Sequence, residues 1–182
     1  MSAFRHIKTV TASAATHILR NDQIFSPEYN VYNIQISNLA TTTQYSNGRV
    51  EVRFLEENGL PLANDMYEHS IKYRRGNDSI LHLSGTSSSS GAYIYADTIA
   101  NKGVAGANFW IFNPWDKDTH THFIYEAGGG AYYSTGGIHI MQKGGGAIKN
   151  KIRLTGISIS ARDESGNLEA DTKISAYGLR RT

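Results

Sequence analysis

The chain has 182 residues, with 18 basic and 16 acidic side chains and a formal net charge of +2. This balance, with only short basic runs, argues against nucleic-acid binding, and the absence of cysteine excludes structural disulfides and thiolate metal sites. No stretch approaches the ~20 apolar residues of a membrane-spanning helix, and the N-terminal residues lack the apolar run of a signal peptide, so we expect folding in a cytoplasm and no membrane insertion.

The predicted elements are β-strands, because apolar side chains recur at every second position and no window keeps a helical period. Residues 1–13 are predicted to form an N-terminal arm. The densely apolar segment 107–115 is typical of a central strand covered on both faces. In the segment 151–162, Gly156 shifts the alternation of apolar residues by one position, which indicates a β-bulge. Strands are predicted, in chain order, within residues 28–39, 48–59, 66–77, from Tyr93 onward, and within 107–115, 119–127, 151–162 and 172–179.

About eight or nine strands separated by turn residues predict one all-β domain over residues 1–182, an antiparallel two-sheet β-sandwich of jelly-roll type. A parallel α/β fold would need crossover helices, for which the sequence has no pattern. The last strand has Ile174 and Ala176 on one face, and its simplest interpretation is an edge strand.

Two segments are rich in glycine, "EAGGGAYYSTGG" and "KGGGA". Neither has the strand, helix and Gly-Lys-Ser/Thr context of a phosphate-binding loop, so they are predicted to be two mobile loops. The alternative is a contact loop in which Tyr132 and Tyr133 are the adhesive side chains.

The histidines in "DKDTHTHF" are the strongest candidates for a metal site. A strand would place His120 and His122 on one face, and a third ligand would come from His139 or from copies of the pair around a trimer axis. The alternative is the polar face of an exposed strand. Two ligands do not make a site, so we predict no metal and no cofactor.

No catalytic motif is present, neither the Gly-x-Ser-x-Gly elbow nor His-Glu-x-x-His, and we predict that the protein is not an enzyme. Aromatic side chains suit stacking on sugars or on a partner protein. Trp110, Trp115, Tyr132 and Tyr133 are candidates for such stacking. For Trp110 the alternative is a core position, since it lies inside "NFWIF"; Trp115, Tyr132 and Tyr133 are retained as candidate contact residues.

Several short motifs occur in the order found in small virion structural proteins of tailed bacteriophages, of the type carried by marine and cyanobacterial phages. They are "FSPEYNVYNIQISNL", "VRFLEENG", "YEHSIKY", "KIRLTG" and "ISAYGLRR". The chain resembles that family over most of its length, except between residues 101 and 146. In the resemblance, Tyr-Gly-Leu closes a virion β-sandwich, and Arg180 and Arg181 stay solvated or reach a neighbouring subunit.

The resemblance implies a non-enzymatic virion component, located in the virion after assembly in the host cytoplasm. Two locations remain open: the protein is a decoration or cement protein on the capsid surface, or it is a fibre or adhesion accessory on the tail. We expect a homo-oligomer, a trimer in the simplest case, with other virion proteins as further partners. The alternative is a lectin-like module that binds host surface glycans for attachment, through Trp115 and the tyrosine-rich loops.

Overall fold

The computed structural model of the chain describes residues 4–42, 49–75, 80–86, 92–95, 105–133, 136–161 and 166–180. Within these ranges the secondary structure is strand, apart from one short 3-10 turn at Asn64–Met66, and no helix there is long and apolar enough to cross a membrane. The strands are β1 (Phe4–Thr11), β2 (Ile18–Asn21), β3 (Tyr29–Leu39), β4 (Arg49–Glu56), β5 (Tyr67–Arg75), β6 (Ile80–Thr86), β7 (Ala92–Tyr95), β8 (Ala105–Phe112), β9 (His122–Tyr133), β10 (Gly136–Ile148), β11 (Leu154–Ala161) and β12 (Lys173–Arg180).

The strands form two antiparallel sheets. The large sheet has the order β1-β12-β3-β8-β9-β10-β5-β6, and the small sheet has the order β2-β11-β4-β7. The prediction of an all-β, two-sheet antiparallel sandwich is therefore confirmed. The jelly-roll connectivity stays a prediction.

The core lies between the two sheets, where every second residue of the strands points inward. Phe54 of the small sheet contacts the rings of Phe25, Tyr67 and Phe123, with ring centroids 6.4, 6.2 and 5.5 Å away. The hydroxyl of Tyr67 accepts a hydrogen bond from the backbone N–H of Phe54 at 2.9 Å. Because this hydroxyl is buried, the pKa of Tyr67 is raised well above its usual range.

The N-terminal segment is part of the large sheet. Residues 4–11 of the predicted arm form β1, which pairs antiparallel with β12 at the edge of the sheet. The backbone N–H of Ala12 continues the attachment by donating to the carbonyl of Thr172 at 2.9 Å, and Lys8 Nζ lies 2.7 Å from Asp22 Oδ1. The partner of β1 lies more than 160 residues away in the sequence, which is why local pattern did not reveal the pairing.

The last strand was correctly predicted and is β12, but its interpretation as an edge strand was wrong. β12 lies inside the large sheet, between β1 and β3. Ile174 and Ala176 have no exposed surface. Gly178 leaves room for the ring of Tyr29, because an added Cβ at Gly178 would lie 2.5 Å from that ring.

In the residues that the structure describes, the two glycine-rich segments are strands, and the prediction of mobile loops was wrong there. They form the β9–β10 hairpin, whose register runs from Gly136 opposite Tyr133 to Ala147 opposite His122. An added Cβ at Gly144 would lie 2.6 Å from the ring of Tyr125, so the ring occupies the space of the missing side chain. Tyr125 also stacks on Phe109 with ring centroids 4.8 Å apart. Aromatic cover of this kind is a known way to stabilise glycine within a sheet.

Two further expectations concern β8 and β11. β8 alternates buried and half-buried residues, so the strand is fully covered on one face only. Trp110 points to the outer face, against Phe4, and the alternative of a core position was wrong. The bulge at Gly156 is confirmed, because the pairing with β4 shifts between Leu154 and Gly156.

Candidate functional site

The outer side of the large sheet carries apolar and aromatic side chains. We call this surface the aromatic face and define it by Phe4, Trp110, Phe112, Ile124 and Tyr177, which the strand register places on the same side of the sheet. Phe4 reaches from the edge strand across β12 and β3 to Trp110, and the two rings meet edge to face at 5.4 Å. Ile124 is 51% exposed and Phe4 is 41% exposed.

Beyond Ile124 the same side of the sheet continues over glycine. Gly106 pairs with Gly128, and Gly128 pairs with Met141, whose side chain is 73% exposed. An open depression of about 730 Å³ lies here, bordered by the ion pair between Lys143 and Glu126, in which the nitrogen and oxygen are 2.7 Å apart. Apolar side chains thus lie on both sides of this ion pair, with Ile124 on one side and Met141 on the other.

The outer side of the small sheet is different. There Arg20 is exposed, and Arg53, Glu51 and Ser160 are half-buried. Charged and hydroxyl side chains are what a sheet shows to water. Of the two outer surfaces, the aromatic face is therefore the one with a reason to be covered.

A second candidate site lies at the end of the sandwich where β8 is connected to β9. The connection begins at Asn113, which adopts a left-handed backbone conformation with φ of 54° and donates its N–H to the carbonyl of Asn30 at 2.7 Å. The carbonyl of the next residue, Pro114, accepts the N–H of Leu154 at 2.8 Å. These two bonds fix the backbone on which Trp115 stands.

One face of the Trp115 ring contacts Arg153, which forms an ion pair with Glu57. The guanidinium of Arg153 lies 4.6 Å from the centroid of the indole ring, in a cation–π contact. Arg153 Nη1 donates to Glu57 Oε1 at 2.7 Å, with the two side chains 35% and 62% exposed. The three side chains come from different loops, so their contact ties the loops of this end together.

A concave surface surrounds this cluster, and we call it the Trp115 groove. Its first part is a cavity of about 280 Å³, and Trp115 also lines a neighbouring cavity of about 430 Å³ that is floored by Phe25 and Thr155. The backbone N–H of Asp118 donates to Asp116 Oδ1 at 2.8 Å, which fixes the acidic turn at the rim. The residues that line the first cavity are Pro27, Tyr29, Asn30, Asn113, Trp115, Asp116, Lys117, Asp118 and Arg153.

The structure separates the predicted contact residues into two ends. Arg180 is exposed and lies opposite Tyr29 in the register, so it is at the same end as Trp115. Tyr132 and Tyr133 lie at the far end of the 12-residue strand β9, roughly 35 Å away. One chain therefore does not build a single site from Trp115 and the two tyrosines. Arg181 lies outside the described residues.

The structure also separates the histidines that were considered as metal ligands. His120 and His122 are both exposed, and His120 Nδ1 is 3.0 Å from the carbonyl oxygen of Ile148. His139 pairs with Gly130, whereas His122 pairs with Ala147. This register puts about 25 Å between the two histidines, so His139 cannot complete a site within one chain. In the described part of the chain no three His, Asp or Glu side chains converge to hold a metal ion.

Sequence reasoning missed Arg153 and Glu57 at the groove and Phe4 on the aromatic face. Arg153 and Glu57 are 96 residues apart, and nothing local marks their contact. The sequence did carry a signal for Phe4, because Phe4 and His6 alternate with other residues as side chains on one face of a strand do. Residues 1–13 were nevertheless predicted to form an arm.

No family model and no curated protein sequence matches the chain. Among solved structures, the chain is similar to a PL-14 alginate lyase from Aplysia kurodai, with 8% identity, a TM-score of 0.35, and coverage of 86% of this chain and 70% of the other. It is also similar to a C2 domain of plant extended synaptotagmin 1, at 8% identity and a TM-score of 0.23 over 86% of this chain and 100% of that one. Infectious bursal disease virus VP2 has 8% identity and a TM-score of 0.19, over 98% and 42% of the two chains. Likenesses at this level carry no argument about function.

Proposed function

We propose that this protein is a non-enzymatic virion component of a tailed bacteriophage that acts by protein–protein assembly. It sits on the capsid surface as a decoration or cement protein, or on the tail as a fibre or adhesion accessory. Its first partner is a second copy of itself, in a symmetric oligomer that is a trimer in the simplest case. The resemblance of ordered motifs along the chain supports the virion assignment, and the aromatic face supports assembly.

The aromatic face is the observation that carries the proposal. Three of the four large apolar side chains found exposed in the described residues, Phe4, Ile124 and Met141, lie on this one side of the large sheet. Exposed apolar side chains that gather on one side of a sheet are typical of a surface that another subunit covers. Burying them against another subunit gains hydrophobic free energy of about 25 cal/mol for each Å² of apolar surface.

Ile124 offers a direct test, because its side chain is exposed and its substitution costs the monomer little. Light scattering at micromolar concentration should show an oligomer for the wild type and a monomer for Ile124→Lys, since a lysine would be desolvated inside the interface. The matched control is Ser160→Lys on the outer side of the small sheet, which should leave the oligomer unchanged. A monomeric wild type, or equal behaviour of the two variants, would overturn assembly through this face.

The virion assignment needs a separate measurement. Mass spectrometry of purified particles of the phage that encodes the chain should find it in a fixed number of copies per particle. Its absence from purified particles, with the protein present in the lysate, would overturn the assignment and leave the oligomer result standing.

A further inference from the structure

We infer that the Trp115 groove is a binding site for a neutral saccharide with free vicinal hydroxyl groups. This role goes beyond assembly and uses the end of the sandwich rather than the aromatic face. The inference rests on three properties of the groove: a fixed aromatic ring, a set of groups that suit hydroxyls, and a charge that disfavours anions.

The aromatic ring is fixed before any ligand arrives. Trp115 is half-buried, its backbone is tied by the bonds of Asn113 and Pro114 to neighbouring segments, and Arg153 lies over its ring. Trp115 lines both the 280 Å³ and the 430 Å³ cavity, so part of the ring stays accessible from each. Sugars present flat faces of C–H groups that pack on aromatic rings, and a side chain that is already ordered loses little entropy when it is covered.

The polar groups around the ring match the chemistry of hydroxyls. Asn30 and Asn113 each carry an amide that can both donate and accept, and Asp116 offers a carboxylate. A sugar hydroxyl also donates and accepts, so a pair of adjacent hydroxyls can satisfy such groups at once. Asn30, Asn113 and Asp116 are all half-buried, which limits competition from water.

The charge of the groove selects a neutral ligand. Arg153 is paired with Glu57, so its charge is already compensated. Of the remaining charged residues that line the first cavity, Asp116 and Asp118 are acidic and Lys117 is basic, which leaves one net negative charge. A uronate or a sulfated sugar would be repelled.

The size of the groove fits one sugar ring with an extension. The first cavity, at about 280 Å³, lies just below the range of small-molecule sites, roughly 300–1,000 Å³. The neighbouring cavity of about 430 Å³ begins on the other side of Trp115 and can take the next residue of a glycan chain.

The test uses four neutral disaccharides, maltose, cellobiose, lactose and chitobiose, with polygalacturonate as the anionic probe. Saturation-transfer NMR on the full chain should show saturable binding of at least one neutral disaccharide and none of polygalacturonate. The chain has two tryptophans, so the Trp110→Phe variant should report the same binding as a change in the fluorescence of Trp115.

Asn30→Ala and Trp115→Ala should weaken the binding at least about tenfold. Asn30 is bonded to Asn113 through its backbone carbonyl, so Asn30→Ala keeps that bond and decides the matter if Trp115→Ala does not fold. Ile124→Lys is the control and should bind the disaccharide as the wild type does. Binding of no neutral disaccharide, binding of polygalacturonate alone, or binding that Asn30→Ala leaves unchanged would each overturn the inference, and none of these results bears on the oligomer.

Discussion

Two glycines on neighbouring strands of the β9–β10 hairpin differ in the space around them. An added Cβ at Gly146 would lie 2.0 Å from the backbone carbonyl oxygen of Glu68, whereas an added Cβ at Gly128 meets nothing within 4 Å. We expect Gly146→Ala to lower the free energy of unfolding by about 2 kcal/mol or more, because a backbone must move. Gly128→Ala should change it by less than about 1 kcal/mol. Urea denaturation of both variants measures the difference, and equal destabilisation would contradict the placement of β10 against β5.

His69 is the buried histidine of β5, and its burial lowers its pKa. The folded state therefore prefers the neutral imidazole, while the unfolded chain takes up a proton near pH 6.5. The contribution of His69 to stability is fully present above that pH and is lost as the pH falls below it. The urea concentration at the unfolding midpoint should thus be lower at about pH 5.5 than at about pH 7.5, and this difference should be smaller in His69→Gln. An identical pH profile in the variant would show that another group is responsible.

His122 stands on the exposed side of β9, and the described residues of its own chain supply no third ligand. We expect protein purified without a histidine tag to hold no stoichiometric iron or zinc. His122→Ala should change the free energy of unfolding by less than about 0.5 kcal/mol, as exposed substitutions do. About one metal ion per three chains, lost in His122→Ala, would instead indicate a site on a trimer axis.

At the scale of elements, β1 and β12 are adjacent but differ in their surroundings. β12 pairs on both sides, with β1 and with β3, whereas β1 has β12 as its one partner among the described strands. Deleting residues 173–180 should abolish folding, because it removes buried Ile174 and Ala176, leaves β1 without its partner and leaves one edge of β3 unpaired. Deleting residues 1–11 should leave a folded protein of lower thermal stability. Circular dichroism and thermal melts of the two deletions test the strand order, and a folded protein without residues 173–180 would contradict it.

Most strands were predictable because an alternating pattern is local. The pattern fails for glycine, which has no side chain to alternate, and the ring of Tyr125 that covers Gly144 is not visible from the glycine-rich segment itself. In β8 both faces are apolar in the sequence, so the outward direction of Trp110 becomes visible only in the structure, from the alternating burial of the strand and the contact with Phe4.

The candidate site residues follow the same division. Trp115 was named from the sequence because an aromatic ring suits stacking on sugars or on a partner protein. Its partners Arg153 and Glu57 were not found, because distant loops bring them together.

At the scale of the whole molecule, the aromatic face predicts how the proposed oligomer responds to salt. An interface built on Phe4, Trp110 and Ile124 is held by apolar burial, which screening of charges does not weaken. We expect the oligomer to persist, or to tighten, when sodium sulfate is added, because sulfate strengthens apolar burial. Sedimentation velocity at low and high salt measures this, and dissociation at high salt would point to an interface of ion pairs instead.

The internal position of β12 has a consequence for the order of synthesis. While the chain is being translated, β1 and β3 emerge early from the ribosome, but the strand that belongs between them is made after more than 130 further residues. Until then each of the two presents a row of unpaired N–H and carbonyl groups, which other chains can capture. The large sheet therefore closes after translation has passed residue 180, and its slow, long-range closure is the step at which a chaperone would matter most.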